Sequence, residues 1–161
     1  MKLFRWLMVA VSLLAWETAL AQTSRLELSL ASNMTIVDGN IESTTFIRLG
    51  RPIRPTVVPE FSLGVDHRRK SAAFLYHLAV RKDFPQPAWV PFLLVGFGGE
   101  TVIVGPYLET RPMLLAGAGA GIPVHQAASI RIDYQFQRVY GAGYIYHRHY
   151  ILVGVLVKWL K

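Results

Sequence analysis

Ile130-Arg131-Ile132-Asp133-Tyr134-Gln135-Phe136-Gln137 alternates without a break, each even position apolar and each odd one polar. A helix, with a period of 3.6, would scatter both sets around its surface; a strand sends successive side chains to opposite faces. The end of the chain keeps the same rhythm, with Ile151, Val153, Val155, Val157 and Trp159 on one face. These two stretches predict strands over 127–137 and 148–159.

Six more segments carry the pattern at the length of about 9–11 residues that a tilted membrane-crossing strand needs. They are 25–34, 42–49, 57–67, 71–82, 88–98 and 111–122. In the third, Phe61, Leu63 and Val65 oppose Glu60, Ser62, Gly64 and Asp66. In the fourth, Phe74, Tyr76, Leu78 and Val80 oppose Ala73, His77, Ala79 and Arg81. Pro91 is awkward for a central strand and points to a bulge or a late start. Ala116-Gly117-Ala118-Gly119-Ala120-Gly121 excludes a helix, and its glycines make room where inward side chains crowd a narrow barrel.

The first residues have the order of an export signal. Lys2 and Arg5 are followed by an apolar run to Trp16 and a small-x-small site, Ala19-Leu20-Ala21. Residues 1–21 are therefore expected to be a cleaved signal peptide and 22–161 one barrel domain. Glu17 and the short run argue against a membrane-anchoring helix. The content of apolar and aromatic residues is 52%, yet no later segment is long and apolar enough for a spanning helix. Only helices and closed barrels satisfy every backbone group inside lipid, so the apolar surface falls to strands. There is no cysteine, and sheet closure must stabilise the domain by leaving no unpaired edge.

An even strand number puts both termini on one side, the periplasm. The turns 50–56, 83–87 and 123–126 would lie there, and longer loops at 35–41, 99–110 and 138–147 would face outward, with a tight connection at 68–70. The net charge is +7, and loss of Lys2, Arg5 and Glu17 leaves +6. The basic residues are scattered, which speaks against nucleic acid. The exception, His67-Arg68-Arg69-Lys70, makes Arg68, Arg69 and Lys70 candidate contacts for lipopolysaccharide phosphates, with a solvated hairpin tip as the plain alternative.

From about 87 to 159 the chain resembles the small eight-stranded outer-membrane β-barrel proteins of bacteria. The residues that carry the likeness are Leu115–Ile122, Ile130–Phe136 and Val153–Trp159. The last includes Gly154, Val157 and Trp159, spaced like the family's C-terminal assembly signal, which implies recognition by the barrel-insertion machinery. Leu152 stands where the family favours a polar residue, and two residues follow the aromatic. The resemblance implies an all-β, eight-stranded, antiparallel up-and-down transmembrane barrel in the outer membrane, a monomer in contact with lipid and lipopolysaccharide.

Some barrels of this size act on lipid A. The deacylase type carries a His-x-Ser-Asn motif, and here the corresponding stretch reads Tyr146-His147-Arg148-His149-Tyr150, with no serine. No catalytic residue, metal or cofactor is therefore assigned, although Ser62, Ser71 and Ser129 with His67, His77 and His125 could meet in space. His147 and His149 share a strand face and lack a third metal ligand. The inward polar set Glu27, Glu60, Asp66, His77, Arg81, Arg131, Asp133 and Lys158 is expected to form an ionic network that plugs the lumen, because charges buried there must pair. A narrow polar pore is the alternative. Trp89, Tyr107, Tyr134, Tyr140, Tyr144, Tyr146, Tyr150 and Trp159 suit an interfacial belt. Three functions follow: a structural or surface-interaction barrel, a lipid A-modifying enzyme, or a soluble exported barrel that holds an apolar ligand.

Overall fold

The alternation seen at 130–137 continues through eight strands. The computed structural model describes residues 26–37, 40–68, 71–104 and 106–159. The expected signal at 1–21 lies outside them, as do Arg69 and Lys70; of Arg68 only the backbone is described.

The strands are β1 (Leu26–Val37), β2 (Asn40–Gly50), β3 (Val57–Arg68), β4 (Ser71–Asp83), β5 (Val90–Val104), β6 (Tyr107–His125), β7 (Ala128–Gly141) and β8 (Tyr144–Trp159). Each pairs antiparallel with its sequence neighbours, and β8 returns to β1 to close the barrel. The stagger is read by following partners around the wall. Glu27 lies opposite Gly50, then Glu60, Ala79, Gly96, Leu115, Gln137 and Arg148. Extending the β8–β1 register from there arrives level with Val37, ten residues above the start. That stagger in eight strands tilts them by about 40° from the axis.

Two expectations are corrected. The long outward loops at 35–41, 99–110 and 138–147 are mostly strand, since β1 runs to Val37, β2 starts at Asn40, β5 runs to Val104, β6 starts at Tyr107, β7 runs to Gly141 and β8 starts at Tyr144. Inward positions continue through Gly98 and Glu100 and again through Glu109, Arg111 and Met113, so the pattern never broke there. The turn at Gly143 is possible because its φ is +82°, a left-handed value that suits glycine in a tight hairpin. The second correction concerns Tyr144, Tyr146 and Tyr150, which lie on the lumen side of β8 and not in a belt, Tyr144 stacked on Tyr146 at the rim. Pro91 sits at the start of β5, below the last β4 partner, so its missing N–H costs no bond to β4.

The end where β1 begins and β8 finishes is called the base, the opposite end the rim. Outward apolar residues form a band between them. On β8 it spans Ile151 to Trp159, about 20 Å along the axis at that tilt. Such bands are about 25 Å tall in transmembrane barrels. Ile132, Val155 and Val157 are 42%, 49% and 38% exposed, while Arg131 and Asp133 are 2% and 1%. The apolar half of each strand faces outward, which removes the reading of a soluble barrel with its apolar face turned in.

Candidate functional site

The lumen is stacked in three layers. The base layer gathers Glu27, Glu60, Asp83 and Asp133 with Arg48, Arg81, Arg131 and Lys158. Arg131 donates to Glu60 through Nη1 at 2.7 Å and Nη2 at 3.2 Å, and to Asp133 through Nε at 2.8 Å. Arg81 donates to Glu27 at 2.6 Å and to Asp83 at 2.7 Å, and also to Glu60. Arg48 closes the group on Asp133. The ring of Phe92 lies under two of these cations, 4.5 Å from the Arg131 guanidinium carbon and 5.7 Å from that of Arg81. Lys158 is the looser member, 4.0 Å from Glu27 and partly exposed.

Above it lies an apolar layer of Ala31, Phe46, Leu75, Met113, Val139, Tyr150 and Leu152, all buried and packed as one cluster. These residues come from six of the eight strands and meet across the lumen at their level. Glycine on β6 serves the packing below. A Cβ on Gly119 would stand 2.4 Å from Phe92 Cζ and 2.4 Å from the Ile132 carbonyl, so only glycine lets Phe92 lie there.

The rim layer joins Asp66, Glu100, Glu109, Arg111, Tyr146 and Arg148. Glu100 is fully buried and accepts from Arg148, from Tyr146 and from Arg111 at 3.2 Å. Asp66 accepts from Thr44 at 2.9 Å and lies 3.7 Å from Arg148. Arg111 also holds Glu109.

Of the inward residues named from sequence, Glu27, Glu60, Arg81, Arg131, Asp133 and Lys158 meet in the base layer. Asp66 stands apart in the rim layer. His77 belongs to neither ionic layer; it lies edge-on to Phe46 with centroids 5.5 Å apart. Sequence reasoning missed Arg48, Asp83, Glu100, Glu109, Arg111 and Arg148. The signal is present in the parity of β2, β4, β5, β6 and β8, but a turn at 83–87 and a loop at 99–110 hide Asp83, Glu100 and Glu109. Ser62 is the register partner of His77, yet Ser62 Oγ and His77 Nδ1 form no hydrogen bond. Among the described residues no cluster of three metal-ligating side chains occurs.

The outer wall differs in sign. Every described Asp and Glu occupies an inward position of its strand. The basic groups on outward strand positions are His67, Lys82, Arg138, His147 and His149. Arg138 is the direct partner of His147, one row above the apolar band. Both histidine rings pack on Phe136 with centroids 5.3 Å away, and His149 Nδ1 is 2.6 Å from the Tyr134 hydroxyl. Of the assembly-signal residues, Val157 and Trp159 are exposed on the wall, and Gly154 faces in opposite Ala31.

A closed, fully antiparallel barrel of eight tilted strands, apolar outside and ionic within, is a transmembrane β-barrel of the small eight-stranded kind. Solved structures of that kind superpose on it. Neisserial surface protein A matches with a TM-score of 0.68 and 13% identity, over 84% of this chain and 96% of that one. The N-terminal barrel domain of Pseudomonas aeruginosa OprF gives 0.66 and 15%, over 86% and 100%. Ail, the attachment invasion locus protein of Yersinia pestis, gives 0.54 and 12%, over 85% and 97%. No family model matches the chain. No curated protein matches it by sequence.

Proposed function

We propose that this protein is an integral barrel of the bacterial outer membrane that acts through its outer surfaces, in a structural or surface-interaction role, and contacts lipopolysaccharide. The observation that carries the reading is the separation of charge by face. The lumen holds the described carboxylates and is crossed by an apolar cluster, while the wall offers apolar side chains edged by cations. Such a wall suits acyl chains bounded by phosphates.

In this reading the base faces the periplasm, residues 1–21 are removed on export, and the barrel-insertion machinery reads Gly154, Val157 and Trp159. The rim then lies at the outer leaflet, where Arg138, His147 and His149 join Arg68, Arg69 and Lys70 as candidates for lipid A phosphates. Arginine suits that task because its planar fork meets phosphate oxygens in pairs. The names of two structural neighbours, a surface protein and an attachment invasion protein, agree with a surface role.

Cell fractionation with a heat-modifiability gel tests the location. The protein should pellet with outer membranes and migrate differently when unboiled; recovery in the aqueous periplasm would overturn the reading. Thermal unfolding in bicelles tests the ligand. Lipopolysaccharide should raise the midpoint more than its dephosphorylated form does, and Arg138→Gln should shrink that difference. Equal midpoints with the two forms would remove lipopolysaccharide phosphate from the proposal.

A further inference from the structure

The opposite edge of the wall carries a second cationic corner. The β2–β3 turn reads Arg51-Pro52-Ile53-Arg54-Pro55-Thr56. Two prolines fix φ in this short connection. Backbone bonds brace it further, from Arg51 N to Pro59 O at 3.2 Å, Ile53 N to Val57 O at 3.0 Å and Val57 N to Arg54 O at 3.2 Å. β4 ties it down through Asp83 N to Thr56 O at 2.9 Å, and Lys82 Nζ donates to Thr56 Oγ1 at 2.6 Å. Arg51, Arg54 and Lys82 are thus presented, exposed, by a stiff frame.

Directly toward the rim the wall turns apolar. Leu49 pairs with Phe61, Pro59 pairs with Val80, and Leu49, Phe61 and Val80 are all exposed. Asp83, next in the chain after Lys82, turns inward and holds Arg81. A cationic corner continuous with a greasy strip has the complementary form of an amphiphile with an anionic head. A soluble polyanion would use the cations and leave the strip unused.

We propose that this corner binds the phosphate of a phospholipid in the leaflet at the base, with Arg51, Arg54 and Lys82 around the headgroup and an acyl chain along Leu49, Phe61 and Val80. The test uses the full barrel folded in neutral detergent, its fold checked by unboiled gel mobility. Dihexanoylphosphatidylglycerol is titrated in and backbone amides are followed by NMR. Saturable shifts should appear across 51–56 and at Lys82, and Arg51→Gln, Arg54→Gln and Lys82→Gln should each weaken binding about fivefold. No shift in the wild type, or shifts unchanged in the triple variant, would overturn the proposal. Equal shifts from dihexanoylglycerol, which lacks phosphate, would also overturn it. Stronger shifts from N-acetylmuramyl dipeptide would reassign the corner to the cell wall. The variants leave the rim untouched, so failure here would not bear on lipopolysaccharide contact there.

Discussion

At the base of the lumen four carboxylates meet four cations, and all but Asp83 and Lys158 are buried to within a few per cent. At the rim three carboxylates, Asp66, Glu100 and Glu109, meet two arginines, and Glu109 reaches solvent. The same residue types therefore face different alternatives when a partner is lost. At the base a stranded charge has the remaining ions, Phe92 and the Gln135 amide nearby, with the apolar layer above and a half-open pocket lined by Asp83, Ser129 and Lys158 below. At the rim Glu100, Asp66 and Arg148 are just as buried, but solvent reaches Arg111 and Glu109, and a stranded arginine has a second carboxylate within the layer. The base behaves as a fastener across the lumen, since Arg48–Asp133, Arg131–Glu60 and Arg81–Glu27 each join strands that are not neighbours. The rim behaves as an end plate whose outer pair, Arg111 and Glu109, meets solvent.

The largest effect should follow from breaking the base. Arg131→Met keeps most of the packing against Phe92 and removes three hydrogen bonds from Glu60 and Asp133. Glu60 keeps Arg81 and Asp133 keeps Arg48, but four carboxylates then face three cations, and unfolding by urea in lipid vesicles should show a loss of about 3–5 kcal/mol, the usual cost of leaving a buried charge uncompensated. A loss under about 1 kcal/mol, the scale of exposed pairs, would mean that water reaches the base freely, and the contrast between the layers would fail.

An intermediate effect is expected at the rim. Glu100→Gln takes the shared acceptor from Arg148, Tyr146 and Arg111. Asp66 and Glu109 remain as partners for the two arginines, and the amide oxygen still accepts one bond. The same unfolding measurement should give about 1–3 kcal/mol, the range for hydrogen bonds to charged groups. A cost equal to that of Arg131→Met would show the rim layer to be as dry as the base and would merge the two.

How far these layers were legible in the sequence follows the same division. The base residues lie inside segments whose alternation is clean, so parity alone placed Glu27, Glu60, Arg81, Arg131 and Asp133 on one inner surface. Parity could not supply their partners, because these depend on a stagger of ten residues that becomes visible only when the ring closes. Arg48 escaped notice because the 42–49 stretch mixes Ser43, Thr44 and Thr45 with apolar residues and blurs the two faces. The rim was harder to read. Gly98-Gly99 before Glu100, and Gly141 and Gly143 before Tyr144, carry the composition of loops, and glycine outweighed a period of two that in fact ran on. The middle layer had no sequence signature at all. Phe46, Leu75, Met113 and Leu152 are apolar residues on inward positions, among outward neighbours that are apolar as well.

The smallest effect should fall at Glu109, on the end of β6 that projects above the apolar band. The hydrogen bond from Arg111, followed by the charge of that guanidinium, holds its carboxyl below the ordinary glutamate range. A carboxylate whose pKa is lower folded than unfolded adds stability above the unfolded value, about 4.3, and that contribution disappears as the pH falls through the folded value. Glu109 is open to solvent, so the contribution is screened and slight. Glu109→Gln should lower the unfolding midpoint at pH 7 by no more than a slight amount, and the variant and wild type should draw together as the pH falls below about 4.3. If the two curves instead separate as the solution is acidified, the protonated carboxyl is the form the fold uses. If Glu109→Gln at pH 7 costs as much as Glu100→Gln, the solvated part of the rim begins above Glu109 and not below it, and the boundary between the dry and wet lumen moves up by one ion pair.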